Sequence, residues 1–597
     1  MNTSISLKKN FKKFFHSTID SPRNLWVFSK TLPFIGGLVA SYTFVEISVV
    51  FILMDYLTDS RGNDQRIAAV VTNLQDVLSS ILFIFVSSIS KEYTGCFTMI
   101  TFCAAASIEG LMLLWTSISA STDIVVYAGI FLLALGKSGQ KLSEIFYKYQ
   151  LQEKIKEKKE HDHEGTVLTN IWLFAPSILG YIITAYTTIE VHESYDQSFR
   201  FGAILMGGTY MFFLFGCKWY RLEKLSDESN LRMIFRICKA AFGKRDLKYP
   251  PSPNFYYWKD HKHNKNHDLY KHGKGLRLSP RVPRFFRWLD KAAIVKAEEE
   301  MSPETQEKNG KLCTVKEVRE VKSLVPMIYL GFTFSAYGLL VATGNVFFLT
   351  QASGSMESNI TTNGNDIGIL FLIKEGVKLI SPFIFFIISF PFRCFLRNFK
   401  ANDGRKPKGN AATIVRIGFG MVCAVICSLV AWHMEVPGKN TTVALIPQFS
   451  LLGMTEGLVE GGLASLFHGQ VANSMWSFED SFTELVIGCG KLLIIPFLFS
   501  SWFNETDGRL GSYYLMLGIL NGVFLLAFAY YSIRYTYKEE CPEDEKISEE
   551  QPLENVHPSD SHDSRAEDIN EALSVEEEDP LDTIMIEERI EENEENV

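Results

Sequence analysis

The sequence predicts an all-α membrane protein with about twelve transmembrane helices in two bundles of six. Three observations support this class. Hydrophobic residues make up 47% of the 597 residues. Charge is concentrated near the N-terminus, in a middle stretch and in a C-terminal tail, whereas the remainder falls into apolar blocks of about 20 to 25 residues, the length of a membrane-spanning helix. A soluble protein has no use for so many such blocks.

The apolar blocks form two groups of six, divided by a polar loop. They lie near residues 34–57, 67–90, 96–118, 122–146, 166–187 and 200–220, and near residues 324–350, 366–390, 411–433, 442–468, 480–501 and 511–535. The blocks predict five regions, which are a cytoplasmic N-terminus (1–33), an N-terminal bundle (34–220), a cytoplasmic central loop with an amphipathic helix (221–322), a C-terminal bundle (323–538) and an acidic, disordered cytoplasmic tail (539–597).

The orientation follows from the distribution of Lys and Arg. These residues gather in the N-terminus, in the loop after the fourth span, in the central loop and in the loop after the eighth span. The positive-inside rule therefore places both termini and the central loop in the cytoplasm. Glycosylation sequons at Asn359, Asn440 and Asn504 all fall in loops assigned to the other side, which gives the topology weak support because such sequons often arise by chance.

Several function classes lack their sequence signals. The ten cysteines show no CxxC or Cys/His spacing that would hold zinc. No glycine-rich phosphate loop, nucleophile elbow or HExxH motif occurs. We therefore expect neither an enzyme nor an ATP-driven pump, with no metal, no cofactor and no nucleic-acid partner.

Charged residues inside the apolar blocks are the candidate functional groups. Buried charges are costly unless they pair or face water, so each marks a potential path for a solute or ion. They are Glu46, Asp76, Glu109, Lys137, Lys141, Lys374, Glu375, Lys378, Glu456, Glu460, Glu484 and Lys491. We expect Lys374 and Lys378 to reach the membrane interface and Lys137 to lie at the cytoplasmic rim. Two six-helix halves with charge at mid-depth are what a secondary transporter of the major facilitator type needs.

One stretch carries a family resemblance. "ALGKSGQKLSEIFYKYQ" (134–150) resembles the fourth-span signature of the plant nitrate/peptide transporter family, the plant branch of the proton-coupled oligopeptide transporters. Six more stretches match that family in order, namely "TNIW" (169–172), "RFFRWLDKAAI" (284–294), "KLCTVKEVREVKSL" (311–324), "RIGFG" (416–420), "LIPQFSLLGMTEG" (445–457) and "RYTYK" (534–538). The resemblance covers about residues 30 to 538.

The resemblance implies roles for two charged residues. Lys141 matches the family's fourth-span Lys, and Glu456 matches its tenth-span Glu, which in relatives belong to the central site and to proton coupling. We expect the two side chains to come within salt-bridge reach in at least one state of the transport cycle. The alternative is that Lys141 pairs only with Glu144, one turn away at the cytoplasmic rim.

The chain also departs from the family. The first-span ExxER motif is missing, and Glu46 lies one turn beyond its place on nearly the same face. Glu460 follows Glu456 at i+4, where relatives are usually apolar, and two close carboxylates could form a proton site. Alternatively, Glu460 faces a cytoplasmic vestibule. The seventh span contains no His, so the nitrate-binding His of the family has no counterpart.

The resemblance implies a proton-coupled secondary transporter that works by alternating access in the plasma or vacuolar membrane. Its partners would be the lipid bilayer, protons and a small solute, such as nitrate or another anion, a di- or tripeptide, or a plant metabolite or hormone. Two alternatives remain. One is an uncoupled facilitator that has lost coupling together with ExxER, and the other is a transport-dead sensor or scaffold acting through the central loop and tail.

Overall fold

The structure is a computed structural model that describes most of residues 31–537. Outside the described residues lie 1–30, 61, 63, 120–121, 160–165, 191–194, 223–224, 226–227, 251–254, 259–269, 273–274, 279–283, 296–301, 358–364, 401–409, 436–441, 500–509 and 538–597. The expected basic N-terminus, the acidic tail and the three glycosylation sequons therefore lie outside the described residues.

Six long helices form the N-terminal half of the described chain. They are α1 (Leu32–Asp55), α2 (Gln65–Ile89), α3 (Cys96–Ser117), α4 (Asp123–Lys159), α5 (Thr166–Glu190) and α6 (Tyr195–Phe215). Single turns of π- or 3-10 helix follow α1, α2 and α6 at Tyr56–Ser60, Ser90–Thr94 and Gly216–Trp219. The six helices correspond to the six apolar blocks expected before the central loop.

Two glycines determine how closely α3 and α4 pack. A Cβ atom added to Gly136 would lie 2.3 Å from the Oγ of Ser107, and one added to Gly139 would lie 2.3 Å from the Cβ of Cys103. Any larger residue at these positions would push α3 away from α4. The glycines of "ALGKSGQ" thus let another helix approach closely.

The central loop folds into short elements. They are α7 (Asn230–Gly243), a hairpin of the antiparallel strands β1 (Tyr270–His272) and β2 (Gly275–Arg277), a 3-10 helix (Arg284–Ala293), α8 (Pro303–Lys308) and α9 (Val315–Lys322). The expected amphipathic helix is this 3-10 helix, whose buried Leu289 and Ala292 pack in a core with Ile237 and Val318. Its apolar side therefore contacts protein, and its position along the inner membrane face stays a prediction.

A buried ion pair fixes this loop core. The Lys322 Nζ lies 2.6 Å from the Oδ1 of Asp290, and the two side chains are 1% and 0% exposed. Burial raises the pKa of the Asp290 carboxyl, although the neighbouring ammonium of Lys322 opposes this. Each ion depends on the other, because a buried charge without a partner is strongly destabilising.

The C-terminal half of the described chain contains six further spans, two of which are divided into helical segments. These elements are α10 (Val325–Phe332), α11 (Ser335–Glu357), α12 (Asn365–Lys400), α13 (Asn410–Met434), α14 (Thr442–Gln470), the 3-10 helix Asn473–Phe478, α15 (Glu479–Leu492), α16 (Ile494–Leu498) and α17 (Leu510–Tyr537). A bend of 56° separates the helical stretch that ends at Phe332 from the one that begins at Ser335. The apolar block expected as one span at 324–350 is therefore divided into α10 and α11.

Among the described residues, six helices are long and apolar enough to cross a membrane, and the number rises to eight if each bent pair counts as one span. The helices α4, α5, α12 and α14 bring the number of long helical segments to six in each half. Apart from the β1–β2 hairpin, the regular elements in the described part of the chain are helical. The architecture confirms the predicted class, an all-α protein of two six-helix bundles.

The two halves face each other along several helix pairs. The helix α2 packs against α15, α5 against α12, and α1 against α11. The first turn of α7 also contacts both halves, since the Ser229 hydroxyl donates to Glu92 at 3.0 Å and the Asn230 amide donates to the Ser477 hydroxyl at 2.8 Å. Between the halves lies the largest concentration of buried charge in the described chain.

Candidate functional site

A cavity of about 460 Å³ lies between the two six-helix halves. Four helices of each half line it, α1, α2, α4 and α5 on one side and α11, α12, α14 and α15 on the other. Its lining includes Lys148 on α4 and Glu479, the first residue of α15, so it extends to the side of the predicted cytoplasmic loops. The volume is in the range typical of small-molecule sites.

One cluster of charges belongs to the N-terminal half. The Nζ of Lys137 lies 2.9 Å from the Oε1 of Glu46 and 2.6 Å from the Oδ1 of Asp76, which brings together α1, α2 and α4. The Gln140 amide donates to the second oxygen of Glu46 at 2.8 Å. We call Glu46, Asp76 and Lys137 the N-half cluster.

Two ion pairs cross from this half to α15. Asp76 also pairs with Lys491, and the Nζ of Lys141 lies 3.2 Å from the Oε1 of Glu484. Glu484 and Lys491 are seven residues apart, two helical turns, so they share one face of α15. On that face, the negative Glu484 meets the positive Lys141, and the positive Lys491 meets the negative Asp76. We call these two contacts the cross-half pairs.

A second cluster belongs to the C-terminal half. The Nζ of Lys374 lies 3.1 Å from the Oε1 of Glu456, and the Nζ of Lys378 lies 3.0 Å from both the Oε2 of Glu456 and the Oε2 of Glu460. The Tyr337 hydroxyl donates to Glu460 at 3.3 Å. We call Lys374, Lys378, Glu456 and Glu460 the C-half cluster.

Glycines on α14 bring this cluster together. A Cβ atom on Gly453 would lie 2.1 Å from the carbonyl oxygen of Lys374, and one on Gly457 would lie 2.2 Å from that of Lys378. The backbone of α12 can therefore rest directly on α14. This contact places both lysines beside Glu456, whose side chain is only 3% exposed.

A hydrogen bond also joins the halves at α5 and α12. The Tyr181 hydroxyl donates to the Oε2 of Glu375 at 3.2 Å, while the other oxygen of Glu375 lies 3.2 Å from the Nζ of Lys374. Tyr181 thus connects the N-terminal half to the edge of the C-half cluster.

The four candidate residues from the sequence all line this one cavity, but two of them have other partners than expected. Lys141 pairs with Glu484, and Glu456 pairs with Lys374 and Lys378. Lys141 and Glu456 are both described by the structure, and in this conformation they do not form the expected ion pair with each other. Its formation in another state of the cycle stays a prediction, as do the roles of Lys141, Glu456, Glu460 and Glu46.

Two positional expectations were wrong. Lys374 and Lys378 do not reach the membrane interface, since both line the cavity and the side chain of Lys374 is 5% exposed. Lys137 does not lie at the rim, because it contacts Glu46 and Asp76 deep between the helices. In each case a carboxylate on a neighbouring helix stabilises the ammonium inside the bundle, which sequence spacing alone could not show.

Sequence reasoning named Asp76, Glu484 and Lys491 as intramembrane charges but gave them no role. The available signal was the opposite charge of Glu484 and Lys491, which lie on one face of α15. Glu109, in contrast, is exposed on α3 and is not among the cavity-lining residues. Among the described residues, no group of three or more His, Cys, Asp or Glu side chains could hold a metal ion.

Comparisons with known proteins agree with this architecture. The family PTR2, described as the POT family, matches residues 97–495. Among Arabidopsis thaliana proteins, the chain is 24% identical to NRT1/PTR FAMILY 5.7 over 535 residues, covering 82% of this chain and 85% of the relative. It is also 24% identical to NRT1/PTR FAMILY 5.6, covering 82% and 88% of the two chains.

Solved structures show the same fold. An auto-inhibited POT family peptide transporter superposes with a TM-score of 0.60 at 15% identity, covering 89% of this chain and 99% of that one. The POT family transporter PepTSo superposes with a TM-score of 0.57 at 15% identity, covering 85% and 99%. The matched family and these relatives are transporters and not enzymes. The chain is therefore an integral, multi-pass membrane protein that belongs to the POT family.

Proposed function

We propose that the chain is a proton-coupled secondary transporter that moves a small solute by alternating access around the 460 Å³ cavity. The observation that supports this most is the cavity itself, which both six-helix halves line and which ion pairs cross. A solute bound there contacts both halves, so its presence can bias their relative position.

The cross-half pairs supply the gate in this mechanism. When the halves rock apart at α2, α4 and α15, Lys141 must leave Glu484 and Lys491 must leave Asp76. Buried ions without partners are costly, so the movement is favourable only if other groups replace the lost contacts. For Lys141 the carboxylates of Glu456 and Glu460 line the same cavity, which keeps the expected Lys141–Glu456 contact as a proposal for another state.

We infer that the N-half cluster supplies the proton site once Lys491 has left Asp76, because the two neighbouring ammonium groups hold the Asp76 carboxylate in its charged form in this conformation. Glu46 and Asp76 both contact Lys137, and Asp76 in addition contacts Lys491 of the other half. A proton taken up by either carboxylate removes one negative charge beside Lys137 and weakens the attraction that holds the cluster. Because Asp76 is shared with Lys491, the loss of charge reaches the interface between the halves. This cluster takes the place of the missing ExxER motif.

Small, water-soluble metabolites are the first solutes to test. POT family structures of the same fold have been solved with 5-aminolevulinic acid and with a thioalcohol-conjugated peptide. The cavity volume accommodates molecules of this size.

The proposal is tested by uptake and current in oocytes that express the full chain, at acidic and neutral outside pH. The panel contains nitrate, dipeptides, small amines and plant hormones. We expect at least one solute to evoke an inward current that is larger at acidic pH. Asp76→Asn should abolish this current at equal surface amount, whereas Glu109→Gln, an intramembrane carboxylate outside the cavity, should leave it unchanged.

Other outcomes favour the alternatives. Uptake that is independent of pH would indicate an uncoupled facilitator. If no solute moves and a partner binds the central loop or the tail, the chain is a sensor or scaffold instead.

A further inference from the structure

The charges that line the cavity are unequally divided between the two halves. Among the described residues, six lysines and nine carboxylates line it, which leaves an excess of three negative charges when all are ionised. The N-terminal half contributes three of each sign, and the C-terminal half contributes three lysines and six carboxylates. The excess therefore lies on one wall, formed by α12, α14 and α15.

The lysines at the centre of the cavity are already engaged. Lys137 and Lys374 each contact two carboxylates, Lys378 contacts Glu456 and Glu460, and Lys141 and Lys491 each contact one carboxylate across the halves. An anion bound at the centre would have to displace one of these carboxylates and leave it unpaired in the same cavity. Such an exchange loses about as much Coulomb energy as it gains. The sixth lysine of the lining, Lys148, is exposed and lies near Glu479.

Carboxylates remain that have no such partner. Glu144 accepts a hydrogen bond from the Gln140 amide at 3.3 Å, but no ammonium group of the described residues lies within ion-pair distance of it. Asp480, at the start of α15, also lines the cavity and is exposed. Glu144 and Asp480 belong to opposite halves, so each wall of the cavity has a carboxylate that could receive a positively charged group.

Aromatic side chains add to this preference. Phe174 and Tyr181 of α5 line the same cavity, and the Tyr181 hydroxyl contacts Glu375 of the acidic wall. The face of an aromatic ring attracts an ammonium group, with a gain of about 0.5–2 kcal/mol when the site is shielded from water. Phe371 already receives the ammonium of Lys374, 4.7 Å from its ring centre, which shows this contact within the same cavity.

We propose that the transported solute is a small organic cation, an amine-bearing molecule of amino-acid to dipeptide size with net positive charge. Nitrate and other anions are then excluded as the main substrate. This inference rests on the proposed function, because it assigns the charge of the solute that the central cavity binds.

Binding to the purified full chain in detergent tests the charge preference without a membrane potential. The probes are the dipeptides Lys-Ala, Ala-Ala and Glu-Ala, the diamine derivative agmatine, and sodium nitrate, each measured by its shift of the thermal unfolding midpoint. We expect Lys-Ala or agmatine to bind at least about tenfold more tightly than Glu-Ala, the difference given by one favourable charge contact. Nitrate should give no shift beyond that of sodium chloride.

Two variants test whether carboxylates of the cavity cause the preference for cationic probes. Glu460→Gln and Glu144→Gln should each reduce the ratio of Lys-Ala to Glu-Ala affinity several-fold, while Glu109→Gln should leave the ratio unchanged. Glu144→Gln keeps the test valid if Glu460→Gln fails to fold, since Glu144 has no ion pair among the described residues to lose.

The outcomes separate this inference from the proposed function. If Glu-Ala or nitrate binds or is taken up as well as the cationic probes, the charge assignment is wrong and the transporter proposal stands. If a cationic probe binds in preference but never crosses the membrane, the cavity has the assigned charge and the transporter proposal fails. If no probe binds or moves, both are overturned.

Discussion

The two charge clusters of the cavity differ in how they are connected. The N-half cluster joins three helices of one half and extends through Asp76 to Lys491 in the other half. The C-half cluster is confined to α12 and α14, which are packed backbone to backbone at Gly453 and Gly457. The N-half cluster therefore changes its contacts when the two halves move relative to each other. The C-half cluster lies within one half and moves with it.

We therefore expect the N-half cluster to contribute mainly to transport and the C-half cluster mainly to stability. Breaking the N-half cluster or the cross-half pairs should change transport more than it changes the stability of either half. Breaking the C-half cluster should lower stability in every state of the cycle, because its ion pairs do not need to open when the halves rock.

The largest effect is expected for Asp76→Asn. The amide cannot balance both Lys137 and Lys491, so two ammonium groups face each other with one carboxylate fewer. Uptake corrected for surface amount should fall to background, and a normal rate would show that Asp76 has no part in coupling.

A steric change tests the C-half cluster. Gly457→Ala places a Cβ atom 2.2 Å from the carbonyl oxygen of Lys378 and 2.1 Å from the Oγ of Ser381. Overpacking of this kind costs about 1–3 kcal/mol. The midpoint of thermal unfolding should fall by several degrees. Gly376→Ala on α12 is the matched control, since a Cβ atom there meets nothing within 4 Å and should leave the midpoint unchanged.

The cross-half pair Lys141–Glu484 gives an intermediate effect. Its side chains are 36% and 23% exposed, so water screens the pair in part. Lys141→Gln and Glu484→Gln should each slow uptake on the order of tenfold, and the double variant should be no slower than the worse single one. Multiplicative losses in the double variant would mean that the two residues act independently.

The smallest effect is expected for Tyr181→Phe. This change removes the hydroxyl that donates to Glu375 across the halves but keeps the ring in the cavity. A hydrogen bond of this kind contributes about 0.5–1.5 kcal/mol. At 3.2 Å this one belongs at the lower end of that range, so uptake should fall about two- to threefold. The unfolding midpoint of Tyr181→Phe should stay within a degree of the parent, since the bond joins the halves and not the helices of one half.

The fold was predictable from sequence because length and hydropathy determine which segments can span a membrane. The six-and-six grouping and the close approach at Gly136 and Gly139 follow from local patterns. The bend between α10 and α11 was missed, since "VPMIYLGFTFSAYG" is apolar throughout and contains no signal that sets where the helix stops.

The sequence did not predict which lysine pairs with which carboxylate in the cavity. Lys141 and Glu456 both line the cavity, but which carboxylate a lysine contacts depends on helix rotation and depth across the two halves. Lys374 illustrates the problem, because a lysine near a span end usually extends to the interface. Here Gly453 brings the α12 backbone against α14, and Glu456 becomes the closer partner.

Proteoliposomes provide the most direct test of coupled transport through the cavity. Purified full chain is reconstituted, the membrane potential is clamped at zero, and uptake of labelled Lys-Ala is followed after an inward proton gradient is imposed. The account predicts accumulation above the outside concentration, its collapse on addition of a protonophore, and no accumulation by Asp76→Asn. Uptake that only equilibrates, with or without the gradient, would contradict it.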